Sequence, residues 1–130
     1  MKTKYLSLLP AFALTAFVFP DNSAGKAKIE LQQQENMLQI KGYYQNEGSE
    51  TEQLSYKLYT VKTGRAGSSR NAQGGSFKVS AGENEILAQT RINVNPGDEY
   101  EVKLQVFRNG ELVSEDAVKY TGEKLPEKTY

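Results

Sequence analysis

Residues 95–110 read Asn-Pro-Gly-Asp-Glu-Tyr-Glu-Val-Lys-Leu-Gln-Val-Phe-Arg-Asn-Gly. The first four residues predict a turn, because proline presets φ and Gly97 accepts the positive φ that a type II turn requires. From Glu99 to Arg108, apolar and polar residues alternate with the period of a strand that has one buried face. The side chains expected in the core are those of Tyr100, Val102, Leu104 and Val106. Asn109-Gly110 predicts a tight hairpin, since both residues tolerate positive φ.

The same alternation continues on both sides of this stretch and predicts seven strands in all. They are Lys28–Gln33, Met37–Gln45, Gln53–Lys62, Ser76–Ser80, Glu85–Val94, Glu99–Arg108 and Glu111–Tyr120. In Glu85–Val94 the residues expected to face the core are Ile86, Ala88, Thr90, Ile92 and Val94. Short strands separated by turn residues, without a convincing helix, predict an all-β, seven-stranded sandwich of two sheets.

The N-terminal 25 residues have the pattern of an export signal. Lys2 and Lys4 precede the mostly apolar run Tyr5–Phe19, and small residues lead to a cleavage site after Gly25. The apolar run is shorter than the ~20 residues of a membrane-spanning helix, although an uncleaved anchor is the alternative. The predicted organisation is a signal peptide at 1–25, a sandwich domain at 26–120 and a flexible tail at 121–130. We expect the mature domain not to insert stably into a membrane.

Composition excludes most catalytic chemistry. The chain has no Cys and no His, so it can form neither disulfides nor the nucleophile–histidine pairs of hydrolases, and we expect no metal and no cofactor. Without Lys2, Lys4 and Asp21, the mature part keeps 14 basic and 15 acidic side chains, and this balance disfavours nucleic-acid binding. The interpretation is therefore a non-enzyme. The enzymatic alternative depends on Glu99 and Glu101, which a strand would place ~7 Å apart on its solvent face.

The strongest local charge signal lies between Gln53 and Gly82, where the chain carries five basic residues and no acidic one. These bases lie on and around a Gly/Ser-rich segment, Thr63–Gly75, that we interpret as a loop between two strands. A surface of one sign on a neutral domain indicates a docking face. The candidate binding residues are Lys57, Tyr59, Lys62, Arg65, Arg70 and Lys78. The alternative is an ordinary solvated loop whose bases discourage unwanted strand addition.

Tyrosines cluster on the second and third predicted strands. Alternation predicts that Tyr43 and Tyr59 are exposed and that Tyr44 and Tyr56 pack inward. Exposed tyrosines beside lysine can contact a peptide or a sugar. This leaves a secreted or surface-held adhesion or carbohydrate-binding module as the second functional hypothesis.

Two stretches combine turn and strand motifs in a distinctive order. One is Leu54–Val79, with a strand ending in Lys-Thr-Gly, a Gly-Ser-Ser-Arg segment and a Gln-Gly-Gly-Ser-Phe return. The other is Pro96–Val106, with the pattern Pro-Gly-Asp-x-Tyr-x-Val-x-Leu. Both stretches resemble the CsgH-type curli assembly proteins, relatives of the CsgC curli chaperone. The resemblance covers about residues 28–113, most of the mature domain.

The resemblance implies a monomeric, immunoglobulin-like sandwich that acts in the periplasm, with extracellular release as the alternative. Its partner would be an unfolded curli-type amyloid subunit, which the protein would hold in a non-amyloid form. Amyloid grows by adding strands to an open edge. We therefore expect the sandwich's own edges to be too short, twisted or charged to template a fibre.

Overall fold

The structure, a computed structural model, describes residues 25–122. Residues 1–24 of the predicted signal peptide and residues 123–130 of the predicted tail lie outside this range. The described residues form seven strands: β1 Gly25–Gln34, β2 Met37–Asn46, β3 Glu52–Gly64, β4 Gly67–Val79, β5 Asn84–Asn93, β6 Glu99–Arg108 and β7 Glu111–Thr121. The predicted all-β fold is confirmed. No helix within the described range is long and apolar enough to cross a membrane.

The strands form two antiparallel sheets that pack as an immunoglobulin-like sandwich. One sheet has three strands in the order β1-β2-β5, and the other has four in the order β4-β3-β6-β7. The two central strands of the larger sheet, β3 and β6, run side by side from Ser55 opposite Phe107 to Thr63 opposite Glu99. This pairing places the outward side chains of β3 next to those of β6 on one surface, although the two strands are distant in sequence.

The core lies between the sheets and takes its largest contribution from β6. The four β6 side chains predicted to face inward are at most 1% exposed, which confirms the alternation of that strand. The other core side chains are Ala27, Leu38, Ile40, Tyr44, Leu54, Leu58, Val79, Ala88 and Val94. Burying these apolar side chains is the main stabilisation available to a domain without disulfides.

The structure corrects the predicted orientation of β5 near its start. Ile86 was expected to face the core, but its side chain is 51% exposed. Ala88 lies opposite Gly42 of β2 whereas Ile86 lies opposite the next residue, Tyr43, so Leu87 is an extra residue in β5. Such a bulge reverses the facing of the residues before it. Leu87 is the residue that packs against the core, and Ala88 and Val94 are buried as predicted.

The predicted turns on either side of β6 are confirmed. The Asp98 N–H donates to the Asn95 carbonyl at 3.1 Å, and Gly97 has a φ of +87°. Asn109 and Gly110 both have positive φ, at 52° and 85°, as the two-residue hairpin requires.

Asn46, the last residue of β2, fastens β2 to the end of β4. It is fully buried, and its side-chain amide donates to the carbonyls of Glu50, Val79 and Ser80 at 2.9–3.2 Å. Its side-chain oxygen accepts the Gly48 N–H at 2.9 Å. The C-terminal end of β4 is thereby held against the smaller sheet.

The prediction that the Gly/Ser-rich segment Thr63–Gly75 is a loop is wrong. β4 begins at Gly67, so Thr63–Gly75 consists of the end of β3, a two-residue turn at Arg65 and Ala66, and most of a 13-residue strand. Residues 67–76 are exposed on both faces of the sheet. Because neither face is buried, the sequence has no apolar alternation there, and pairing with β3 over its whole length makes the segment a strand.

Tyr44 provides a prediction about alkaline pH. Burial is the main cause that raises the pKa of its hydroxyl to about 12, and the nearby Glu52 carboxylate raises it further. The hydroxyl makes no hydrogen bond within the described residues. Between pH 10 and 12 the unfolded chain loses the Tyr44 proton while the folded chain keeps it, so Tyr44 lowers stability as pH rises through this window.

We expect Tyr44→Phe to be at least as stable as the wild type at pH 7 and to lose less stability between pH 10 and 12. Urea unfolding at both pH values measures this difference. Equal pH slopes for the two proteins would contradict the assigned burial of the hydroxyl.

Candidate functional site

Four of the six predicted binding residues lie on one surface, the outer face of the four-stranded sheet. Lys57 and Tyr59 belong to the β3 positions that alternate with the buried Leu58. On β4, Arg70 lies opposite Val61 and Lys78 lies opposite Gln53. Val61 and Gln53 have the same parity on β3 as Lys57, so Arg70 and Lys78 share its face. We call this surface, made by the outward residues of β3, β4 and β6, the outer face.

The remaining two predicted residues lie elsewhere. Lys62 has the opposite parity, and its ammonium group is 3.7 Å from the Asp98 carboxylate, near the β5–β6 turn. Arg65 is in the turn between β3 and β4, at the tip of that hairpin. The structure therefore separates the basic stretch into an outer-face group, a hairpin-tip arginine and a lysine engaged in an ion pair.

The centre of the outer face is a depression of about 410 Å³. Its lining residues are Tyr59, Val61, Arg70, Glu101, Lys103 and Gln105. The last three come from β6, where Lys103 lies directly opposite Tyr59 and Gln105 opposite Lys57. Alternation predicted that Lys103 and Gln105 face solvent, but only the pairing of β3 with β6 brings them beside the basic stretch.

Charge is unevenly distributed over this face. Glu115 on β7 accepts a hydrogen bond from Gln105 at 3.2 Å and lies 4.0 Å from the Lys103 ammonium group. Among residues 25–122, by contrast, the side chains of Lys57, Arg65, Arg70 and Lys78 have no carboxylate within 4.0 Å. The β3–β4 side is positive and unneutralised, and the β6–β7 side carries compensating acids.

The other tyrosines do not extend the site. Tyr43 is half-buried and lies on β2 of the smaller sheet, where its hydroxyl donates to a Glu30 carboxylate oxygen at 3.2 Å. Tyr44 is fully buried, as predicted. Tyr56 is half-buried and packs edge-on to Phe77, with ring centroids 6.2 Å apart. Tyr59, which is half-buried, is the tyrosine that contributes to the depression.

Glu99 and Glu101 lie on the outer face, where Glu101 also lines the depression described above. Glu101 has Val61 of β3 on one side and Lys119 of β7 on the other, and Glu99 lies between Thr63 and Thr121. Across the described range, no three Asp, Glu, His or Cys residues are grouped so that they could hold a metal ion. The pair has the environment of an ordinary solvated strand face, with a cross-strand lysine beside Glu101.

Comparisons with known proteins agree on the architecture. The model of the family described as CsgH protein matches residues 26–117. The structure of the E. coli curli protein CsgC superposes with a TM-score of 0.62 at 16% identity, covering 72% of this chain and 96% of that one. The R. palustris CsgH solution structure gives a TM-score of 0.56 at 20% identity, covering 76% and 93%.

A glycosidase also shares the fold over part of its length. The Bacteroides uniformis β-glucuronidase 2 superposes with a TM-score of 0.55 at 13% identity, but the match covers 76% of this chain and 14% of the enzyme. At such identities the structural likeness shows a common fold alone. The search of curated protein sequences found no match.

Proposed function

The chain belongs to the CsgH family, a curli-associated family, and from this premise we propose that it is a chaperone of curli assembly. In this proposal it binds the unfolded curli-type amyloid subunit and delays the subunit's conversion into fibres. The sequence signals of export favour the periplasm as the place of action, with release from the cell as the alternative. The protein acts as a monomer and performs no chemical reaction on its client.

The observation that carries the proposal is the unneutralised positive side of the outer face. Lys57, Arg70 and Lys78 have no carboxylate within 4.0 Å in the described range, and Tyr59 lies among them. Unpaired surface charges attract an oppositely charged chain and orient it over distances of about a Debye length. The half-buried tyrosine adds apolar contact area at a low cost in conformational entropy.

Binding of this kind suits a client that must later be released. A disordered chain loses conformational entropy when it binds, so its affinity for each unit of contact area is low. Contacts through exposed charges form quickly and are screened by salt. We therefore expect weak, rapidly exchanging binding whose strength falls as ionic strength rises.

A titration of the isotope-labelled domain with the monomeric cognate curli subunit, followed by amide NMR shifts, tests the proposed site. We expect the largest changes at the outward positions of β3 and β4, around Lys57, Tyr59 and Arg70, and smaller changes in 300 mM than in 50 mM salt. Changes centred on the three-stranded sheet would contradict the proposed site, and the absence of any change would contradict the function.

The adhesion hypothesis has its own support in the outer-face depression, where Tyr59 lies beside Arg70 and Gln105. An aromatic ring beside hydrogen-bonding side chains is a common arrangement in sugar-binding sites. Titration of the same labelled domain with oligosaccharides distinguishes the two functions. We expect no shifts with sugars, and saturable shifts confined to the depression would favour the carbohydrate-binding module.

A further inference from the structure

β4 has an open edge. Among residues 25–122 it pairs with β3 on one side only and is the outermost strand of its sheet. In an antiparallel pair, residues alternate between bonding to the partner and directing both backbone groups away from it. The two-residue turn pairs Gly64 with Gly67, so the alternate residues Gly67, Ser69, Asn71, Gln73 and Gly75 bond to β3. The backbone groups of Ser68, Arg70, Ala72, Gly74 and Ser76 are thus directed to the open edge.

The strands on the opposite side of the sandwich are protected in a way that β4 is not. The Ala27 N–H of β1 donates to the Ser114 hydroxyl and the Ile29 N–H donates to the Asp116 carboxylate, each at 2.9 Å. These β7 side chains satisfy edge amides of β1 that would otherwise be available to another strand. From Gly67 to Ser76, no hydrogen bond from a side chain of the described residues reaches the β4 backbone.

The exposed part of β4 is also sterically open. Between Gly67 and Ser76 its side chains are small or short and polar apart from Arg70, and both faces are exposed. The strand has 13 residues and is therefore long enough to pair with a partner strand. The C-terminal end of β4, just beyond this part, is packed against the core. Phe77 packs edge-on to Tyr44 with ring centroids 5.8 Å apart, and Val79 is buried.

We propose that the open edge of β4, from Ser68 to Ser76, binds one extended acidic strand of a polypeptide partner by β-strand addition. Main-chain hydrogen bonds to the five edge residues hold the strand, and Arg70 and Lys78 select carboxylates on its outward side. The inference rests on the proposed function, in which the partner is the unfolded client. A second copy of this chain is disfavoured because it would bring two acid-free, basic edges together.

Strand addition gives the chaperone a way to block growth. A fibre can grow in both directions from a cross-β strand only if both edges of that strand are free to pair. A client strand bound to β4 has one edge occupied by a strand that continues into a folded sandwich rather than into a fibre.

Ala72→Pro tests the proposal, because it removes an N–H from the open edge without removing a bond to β3. Proline is tolerated on a strand edge when its nitrogen faces away from the partner strand. Ala72→Ser keeps the N–H and is the matched control, and Ser76→Pro is a second variant of the same kind. The probe is a fluorescein-labelled decapeptide of alternating Thr and Glu, compared with its Thr-Lys counterpart. Circular dichroism melts establish that each variant is folded.

We expect the wild type and Ala72→Ser to bind the Thr-Glu peptide equally, and each folded proline variant to bind it at least about tenfold more weakly. Equal binding by the proline variants, no preference for the acidic peptide, or a wild-type dimer that Ala72→Pro dissociates would each overturn the proposal.

The same variants in a fibre assay separate the edge-site proposal from the proposed chaperone function. A wild type that binds the peptide without delaying fibres defeats the chaperone function and leaves the edge site standing. A wild type and proline variants that delay fibres equally defeat the edge site alone.

Discussion

Reversing three charges on the outer face, by Lys57→Glu, Arg70→Glu and Lys78→Glu together, is expected to abolish the delay that the protein imposes on fibre formation. The three side chains have no carboxylate within 4.0 Å in the described range, so their positive charge is available to a client. Replacing attraction with repulsion slows association by about tenfold or more at low salt. In a dye-binding fibrillation assay, the lag with the variant should equal the lag of the client alone.

A matched control separates this effect from a change in net charge. Lys26, Lys28 and Arg91 are exposed on strands of the smaller sheet, and reversing all three changes the net charge by the same amount. We expect this control variant to lengthen the lag as the wild type does. A control that fails like the outer-face variant would mean that overall charge, not the outer face, determines inhibition.

Leu104→Ala is expected to produce the largest loss of stability among conservative truncations of the core. Leu104 is fully buried on β6, opposite Leu58 of β3, and packs close to the backbone of Gly42 on the other sheet. Removing its side chain leaves a cavity at the sheet interface and should lower the free energy of unfolding by about 3 kcal/mol. Urea denaturation followed by circular dichroism measures this change.

Ile86→Ala is the comparison that tests the register of β5. Simple alternation along β5 would place Ile86 in the core, whereas the structure leaves it 51% exposed because of the bulge at Leu87. We expect Ile86→Ala to change the free energy of unfolding by less than about 0.5 kcal/mol. A loss comparable to that of Leu104→Ala would show that the simple register is correct.

Strands with one buried face could be predicted from the sequence because burial imposes a period of two. β6 follows that rule from Glu99 to Arg108, and its two turns use residues whose backbone preferences are strong. β5 departs from it because a bulge inserts one residue, and no residue type near Leu87 marks that insertion. Residues 67–75 of β4 could not be recognised as a strand because their exposed faces have no apolar alternation, while Gly and Ser are typical of loops.

The candidate site could be predicted only as far as single strands allow. The common parity of Lys57 and Tyr59 follows from their spacing on β3, and both do lie on the outer face. The same alternation places Lys62 on the opposite face of β3, where its ammonium group lies near the Asp98 carboxylate. Lys103 and Gln105 join the depression through the pairing of β3 with β6, a contact between segments about 45 residues apart that local sequence patterns do not encode.

The most direct measurement is the fibrillation lag of the cognate curli subunit with and without the domain at one-tenth of the client concentration. If the domain acts by transient contact with the unfolded client, the lag lengthens with the amount of domain and shortens again in 300 mM salt. A lag that stays unchanged at every ratio up to equimolar would contradict the chaperone function.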